Sequence, residues 1–206
     1  MDRKITNQSK TTSYITGVQY FIRANAVLFF LLLLMIINIK CWGAEEYGTL
    51  GMIIFPAELL ILSLSLFTWF RPAKRKKYED RVFSKNKLIA FLIAITFISV
   101  FSLIFIGVNL PFPTTILMLF LVMNGMASLY SIFFHKVIIV LYESIVFNVS
   151  GSITSYIFKY IVVTYLGLTY YVQIALSRML LPVNKVFTFL FLLLLIWQSF
   201  ILLTYF

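Results

Sequence analysis

The chain has 206 residues, of which 62% are hydrophobic and only 12% are charged, and its mean hydropathy is +0.99. Soluble domains are about one quarter charged, and a chain this short has too little interior to bury so much apolar surface. The composition therefore excludes a soluble globular protein, and it predicts an all-α polytopic transmembrane helical bundle that forms one domain.

The net charge of +10 raises the question of nucleic-acid binding. The basic residues, however, lie beside hydrophobic segments, and the sequence contains no soluble domain that would dock on DNA. Positive charge in such positions sets the orientation of membrane spans and binds anionic lipid headgroups. We therefore expect membrane lipids, and no nucleic acid, among the partners.

The residue types that support catalysis or metal binding are scarce. Cys41 is the single cysteine and His135 the single histidine, so the sequence indicates no internal disulfide, zinc site or haem site. Neither a G-x-x-x-x-G-K-[ST] phosphate loop nor a G-x-S-x-G nucleophile motif occurs. We therefore expect no cofactor and no enzymatic activity.

Apolar runs of about 20 residues, the length that crosses a hydrocarbon core of roughly 30 Å, recur along the chain. The N-terminal section is long and polar and lacks a small-residue cleavage site, so we expect the first run to be a retained span. The predicted spans cover residues 22–39, 49–70, 88–108, 114–134, 153–175 and 186–206. A shorter segment, residues 137–150, is predicted to be a cytoplasmic interfacial helix. An alternative with seven spans lets residues 137–157 cross the membrane.

The distribution of Lys and Arg predicts the orientation of these spans. Eight of these residues lie between Arg71 and Lys87, which places this loop and the N-terminus in the cytoplasm. The densest part of the loop contains Arg71, Lys74, Arg75, Lys76 and Lys77. Six spans leave Arg178 and Lys185 outside, against the rule, whereas seven spans bring them inside and put the C-terminus outside.

Pro56 and Glu58 interrupt the second predicted span. Glu58 is the only acidic residue clearly inside a span, and carboxylates within a membrane usually face a partner, a cavity or an ion path. Pro56 either bends the helix or belongs to its first turn after a glycine-rich entry. Both are candidate functional residues; the alternative is that a paired or protonated Glu58 only holds spans together.

A set of polar residues recurs at helical spacing between the fourth and fifth predicted spans. The set comprises Glu143, Ser144, Asn148, Ser152, Ser155 and Lys159. If residues 137–160 form one bent helix, the members from Ser144 to Lys159 share one face, which then cannot face lipid. We interpret this face either as a packing seam inside the bundle or as a surface for a partner subunit.

The order of these segments resembles that of a known family. A first span with an asparagine near its start (RANAVLFFLLLL) precedes a glycine-rich entry and a Phe-Pro-Ala sequence (GTLGMIIFPAELL), a basic loop, two spans and an amphipathic segment (YESIVFNVSGS). This arrangement resembles the YesL-like family of small bacterial membrane proteins, most clearly from Arg23 to Leu62. Glu58 stands where that family has a small or hydroxylated residue, so the resemblance assigns it no role.

The resemblance implies a bacterial plasma-membrane protein that accompanies a carbohydrate-uptake ABC transporter. On this basis we expect an accessory or regulatory membrane subunit that binds the permease subunits of such a transporter. Two alternatives stay open: a transport permease subunit in its own right, and a membrane protein that handles lipids or the cell envelope. The permease alternative depends on Glu143 and Asn148, whose segment resembles the loop by which importer permeases contact their ATPase.

Overall fold

Seven α-helices make up almost all of the described chain. The computed structural model describes residues 2–38, 46–70, 84–177 and 179–205, and no β-strand occurs among them. The helices are α1 (Asp2–Ile36), α2 (Glu46–Phe70), α3 (Lys85–Ser102), α4 (Thr114–Phe133), α5 (His135–Val146), α6 (Ile153–Leu176) and α7 (Leu181–Tyr205). A 3₁₀ segment, Leu103–Val108, continues α3. The predicted all-α helical bundle is confirmed.

Six of the described helices are long and apolar enough to cross a membrane, and the chain is therefore a multi-pass membrane protein. The exception is α5, whose 12 residues measure about 18 Å and fall short of a core of roughly 30 Å. The predicted spans agree in number with these helices, and their boundaries differ by five residues at most in the described chain.

α1 and α7 begin earlier than the sequence predicts. α1 is continuous from Asp2, so the polar N-terminal section extends the first helix instead of preceding it as a separate segment. α7 begins at Leu181 with Pro182 in its first turn, where the missing N–H of proline costs no helix hydrogen bond. The helix therefore includes Asn184 and Lys185, which lie before the predicted span.

α1 and α2 form an antiparallel pair. Near one end Ser65 Oγ donates to the carbonyl oxygen of Gly17 over 2.9 Å, and a Cβ atom built on Gly17 would lie 3.0 Å from the Cβ of Trp69. Near the other end Met35 and Ile53 line the same cavity, of about 20 Å³. A side chain at position 17 would therefore press on α2, and glycine lets the two backbones come this close.

Contacts with α4 and α7 define the two ends of the bundle. At the Asn38 end, Asn38 Nδ2 donates to Thr114 Oγ1 over 2.8 Å, so α1 ends where α4 begins. At the Gly17 end, Phe67 of α2 and Phe187 of α7 meet edge to face with ring centroids 4.7 Å apart. α2 and α4 therefore run from the Asn38 end to the Gly17 end, and α1 and α7 run the other way.

α3 and α4 meet at the Asn38 end. The hydroxyl oxygens of Ser102 and Thr115 lie 3.2 Å apart, and Ile98 packs in one cluster with Leu119. The chain reverses between the two helices through residues 109–113. Asn109 has a φ of +62° there, a left-handed conformation that asparagine adopts more readily than most residues.

α6 lies against α3 in its first half and against α4 in its second half. Lys87 Nζ lies 5.7 Å from the centre of the Tyr156 ring, whereas Gln173 Nε2 donates to Ser131 Oγ over 3.0 Å. Tyr165, midway along α6, belongs to the cluster in which α3 and α4 meet. α3 and α4 run in opposite directions, so α6 cannot run alongside α3 and then alongside α4 on a straight course parallel to both. It therefore crosses them obliquely.

α5 packs on the second half of α6 and follows directly after α4 at the Gly17 end. The rings of Tyr142 and Tyr170 stack with centroids 3.9 Å apart, and Val146 joins the same buried cluster. The outer face of α5 carries exposed apolar side chains such as Val140. This short helix occupies the place of the predicted interfacial helix.

The direction of α7 decides where the last basic residues lie. Asn184 Nδ2 donates to the carbonyl oxygen of Leu176 over 3.1 Å, and Thr188 bonds to α4 near its last turn, so Lys185 lies at the Gly17 end. A strict alternation of six crossing spans would place Lys185 at the other end of the bundle. The oblique course of α6 brings the start of α7 to the Gly17 end instead.

This arrangement predicts the sides from which single cysteines react. In a Cys41→Ser background, we expect Lys136→Cys and Ser177→Cys to react from one side of the membrane and Thr204→Cys from the other. Labelling of intact and permeabilised cells with an impermeant maleimide measures this. Reaction of Ser177→Cys and Thr204→Cys from the same side would contradict the direction of α7.

The close approach at Gly17 predicts a stability difference between two glycine-to-alanine variants. Gly17→Ala puts a Cβ against Trp69, and overpacking of this kind costs about 1–3 kcal/mol. Gly125→Ala in α4 is the matched control, because a Cβ there meets nothing within 4 Å. We expect a lower thermal midpoint in detergent for Gly17→Ala only. Equal midpoints for the two variants would show that the α1–α2 contact is not close.

Candidate functional site

Pro56 and Glu58 lie in the middle of α2. The helix is continuous from Glu46 to Phe70, so Pro56 is in its interior, and the interpretation that places this residue in the first turn is wrong. Glu58 is half-buried and sits at the midpoint of the 25-residue helix. At 1.5 Å per residue its Cα is about 18 Å from either end of α2, the depth at which a charge is most costly.

Glu58 faces α1. Ser65 follows Glu58 by two helical turns, so the two side chains point to the same side of α2. Ser65 Oγ donates to the carbonyl oxygen of Gly17. Ala24 follows Gly17 by two helical turns along α1, so it lies on the same side of that helix. Because the helices are antiparallel, this register brings Glu58 close to Ala24 and its neighbours.

We call the polar side chains at this place the α1–α2 seam, which consists of Asn25 and Glu58. Asn25 Nδ2 donates to the carbonyl oxygen of Phe21 over 3.2 Å, a bond within α1 that leaves Asn25 Oδ1 available to a donor. Arg23 is exposed and lies one turn from Tyr20, on nearly the opposite side of α1 from Asn25.

Glu58 has no hydrogen-bond or ion-pair partner in residues 2–38, 46–70, 84–177 and 179–205. Its neighbours along α2 are large and apolar, with Phe55 73%, Leu59 59% and Leu62 49% exposed. The carboxyl group therefore lies at an apolar surface of membrane depth. Chemically it offers two strong acceptor oxygens to a donor from outside the described chain.

Pro56 lies on a different side of α2, at a groove between α2 and α7. The groove has a volume of about 660 Å³ and an almost wholly apolar lining. It is lined by Gly48, Gly51, Met52, Phe55, Pro56, Leu193, Leu194 and Trp197. Residues two positions apart point to nearly opposite sides of a helix, so the structure separates Pro56 from Glu58.

The polar set between α5 and α6 does not form one helical face. α5 ends at Val146 and α6 begins at Ile153, so the condition for a shared face, one bent helix over residues 137–160, is not met. Gly151 has a φ of +83°, a left-handed conformation that favours glycine and ends helical continuity. Ser152 caps α6 by accepting a hydrogen bond from the N–H of Ser155 over 3.2 Å.

The other members of the set belong to different elements, α5, the segment that follows it, and α6. Ser144 and Asn148 are exposed, and Ser144 Oγ donates to a carbonyl of its own helix over 2.9 Å. Glu143 accepts a hydrogen bond from Tyr170 OH over 3.4 Å. Lys159 is half-buried in the second turn of α6. The predicted partner or packing face is therefore divided between a helix cap, a tyrosine contact and exposed side chains.

Positive charge belongs to the Gly17 end of the bundle. The predicted cytoplasmic cluster, Arg71, Lys74, Arg75, Lys76 and Lys77, lies outside the described residues. The chain enters that segment from the last residue of α2, Phe70, which lies near the Gly17 end. Lys136 and Lys185 are exposed at the same end. Lys136 and Lys185 therefore put positive charge at this end of the bundle.

A network of fully buried polar side chains joins α4, α6 and α7. Gln173 Nε2 donates to Ser131 Oγ over 3.0 Å and to Thr188 Oγ1 over 2.8 Å. Ser128 Oγ donates to the carbonyl oxygen of Thr188 over 3.3 Å. Gln173 Oε1 is buried without a partner among the described atoms. Each such bond between membrane helices is worth about 0.6 kcal/mol on average, so the network holds three helices in one register.

Asn124 makes a second polar connection between α4 and α6. Its Nδ2 donates to the carbonyl oxygen of Thr164 and its Oδ1 accepts from the backbone N–H of Thr169, both over 3.2 Å. Thr169 Oγ1 donates in turn to the carbonyl oxygen of Asn124 over 3.0 Å. One side-chain amide therefore binds the backbone of α6 at two points.

None of the candidate residues predicted from the sequence belongs to this network, although the spacing of its members is visible in the sequence. The buried residues are Asn124, Ser128 and Ser131 on α4, Thr169 and Gln173 on α6, and Asn184 and Thr188 on α7. Within each helix they are three or four residues apart, which places them on one face. Polar residues at this spacing inside apolar spans indicate a face that is turned away from lipid.

Comparison of the chain with family models, with curated proteins and with solved structures found no match. In the described part of the chain, no group of three or more His, Cys, Asp or Glu side chains is placed to hold a metal ion. The candidate site is therefore defined by its geometry: a half-buried carboxylate at mid-membrane depth, on the face of α2 that meets α1.

The buried network predicts unequal effects of two glutamine-to-leucine variants. Gln173→Leu removes two hydrogen bonds between helices and should lower the free energy of unfolding by about 1–2 kcal/mol. Gln198→Leu is the matched control, because Gln198 makes only a long bond of 3.5 Å to the carbonyl oxygen of Ile53. Unfolding in sodium dodecyl sulfate followed by tryptophan fluorescence measures both. A larger loss for Gln198→Leu would contradict this ranking.

Proposed function

We propose that the chain is an accessory or regulatory membrane subunit of a carbohydrate-uptake ABC transporter and acts by binding the permease subunits. In this proposal it resides in a bacterial plasma membrane with its N-terminus in the cytoplasm. The observation that carries the proposal is Glu58, a carboxylate at the middle of α2 without a partner among the described residues.

The cost of such a group supports a role in binding. An ionised side chain at the centre of a membrane helix costs roughly 2.5–3.5 kcal/mol on insertion scales. A hydrogen bond to a charged group contributes about 1.5–3 kcal/mol. A donor supplied by another subunit therefore offsets most of the cost of Glu58, whereas the described residues of this chain offset none of it.

The distribution of buried surface supports the same conclusion. Buried residues make up 50% of the α4 span and 39% of the α7 span. They make up only 6% of the α1 span and 17% of the α2 span. The α1–α2 pair therefore lies at the periphery of the bundle. Another membrane protein has access there to the seam that contains Glu58.

The choice of an ABC transporter comes from the sequence. The resemblance to YesL-like proteins implies this context, and the chain lacks a phosphate loop, so another subunit would hydrolyse ATP. A transport permease is the second candidate. It is favoured by the exposed Asn148 and by the contact of Glu143 with Tyr170 in the α5–α6 segment, which resembles an ATPase-docking loop.

Copurification tests the proposed function. The tagged full chain, extracted from native membranes in a mild detergent, should retain both permease subunits of a carbohydrate importer in mass spectrometry. An unrelated multi-pass protein with the same tag, expressed to the same level, is the control. Recovery of the chain alone, under conditions in which the importer itself stays assembled, would contradict the proposal. Solute uptake by liposomes that contain only this chain and an ATPase subunit would favour the permease instead.

A further inference from the structure

We infer that the α1–α2 seam docks a transmembrane helix of the partner, and that this helix brings a Lys, Arg or His side chain to the depth of Glu58. The inference rests on the proposed function and specifies the surface and the chemistry of the contact. The cation pairs with the Glu58 carboxylate, and Asn25 Oδ1 accepts a second hydrogen bond at nearly the same depth.

The positive charge that the partner helix must carry follows from the side chains around Glu58. The carboxylate has no ionic partner in the described residues, so an incoming donor does not have to displace one. Arg23 is the described base nearest in register, but it lies on the Tyr20 side of α1, away from the seam. A cationic side chain complements Glu58, whereas an apolar helix would bury an unpaired charge at much greater cost.

The membrane depth of Glu58 specifies a helix as the occupant. The exposed side chains one turn away, Phe55 and Leu62, and the adjacent Leu59 are all apolar, so this surface does not line a water-filled path. Backbone groups at this depth must be hydrogen-bonded within their own segment, which among open structures only a helix achieves. The occupant is therefore a membrane helix and not a loop or a soluble peptide.

A second copy of this chain fits the seam less well. A symmetric dimer through the seam presents the same surface twice, so each Glu58 meets the seam face of the other copy. Arg23 of that copy lies on the Tyr20 side of α1, away from the face that would meet the carboxylate. The contact would bring two carboxylates together without a cation, which is unfavourable at this depth.

Site-specific crosslinking in native membranes tests the inference. A photoreactive amino acid replaces Leu62, one turn from Glu58 on the exposed surface, and a second variant carries it at Leu190 on α7 as a positional control. We expect Leu62 to crosslink to a permease span that contains a Lys, Arg or His, and Leu190 not to do so. Adding Glu58→Gln should lower the crosslink yield by about tenfold or more.

A matched variant and a charge exchange make the test specific. Glu143→Gln removes a carboxylate that bonds to Tyr170 within the chain, and it should leave the Leu62 crosslink unchanged. Glu58→Lys should abolish the crosslink, and exchange of the partner's cation for Glu should restore it. Thermal midpoints in detergent show whether each variant is folded, and Glu58→Gln is expected to keep that of the unaltered chain.

Four outcomes would overturn the inference. They are an unchanged Leu62 crosslink in a folded Glu58→Gln variant, a crosslink to a second copy of this chain, adducts with lipid only, and a permease span without a basic residue. If the permease subunits still copurify in any of these cases, the docking surface is wrong and the proposed function stands. If they do not copurify with the unaltered chain, the proposed function itself fails.

Discussion

The hydrogen bonds of Gln173 are the interaction on which the packed half of the molecule depends. Lipid is as apolar as the helices, so packing and polar contacts between helices must hold them together. One amide on α6 binds α4 through Ser131 and α7 through Thr188. The remaining helices are arranged around this unit, α1 through Asn38 on α4 and α2 through its contact with Phe187 of α7.

The same constraint makes Glu58 informative. In the buried network nearly every polar atom is satisfied by the chain, with Gln173 Oε1 as the described exception. At the α1–α2 seam a whole carboxylate has no described partner, although a charge costs more at that depth than an amide does. Glu58 therefore differs from the buried amides, which bond within the chain.

Counting apolar runs predicted the six membrane-length helices, but not the end of the bundle at which α7 begins. Six runs of membrane length imply that both termini share a side, and this rule assumes that each span simply crosses. α6 instead runs obliquely across α3 and α4, so Lys185 lies at the Gly17 end. The polar set from Ser144 to Lys159 does not share one helical face, since α5 ends at Val146 and Gly151 has a left-handed φ before α6 begins.

By itself the sequence determined the all-α class, the six membrane-length helices and the unusual position of Glu58, because apolar length and local charge are properties of single segments. Only the tertiary structure decided that Glu58 faces α1 near Ala24 and that Asn124 and Gln173 join helices far apart in the chain. These contacts depend on the register and crossing angle of each helix pair. Register and crossing angle are set when two helix surfaces pack together, so neither helix determines them alone.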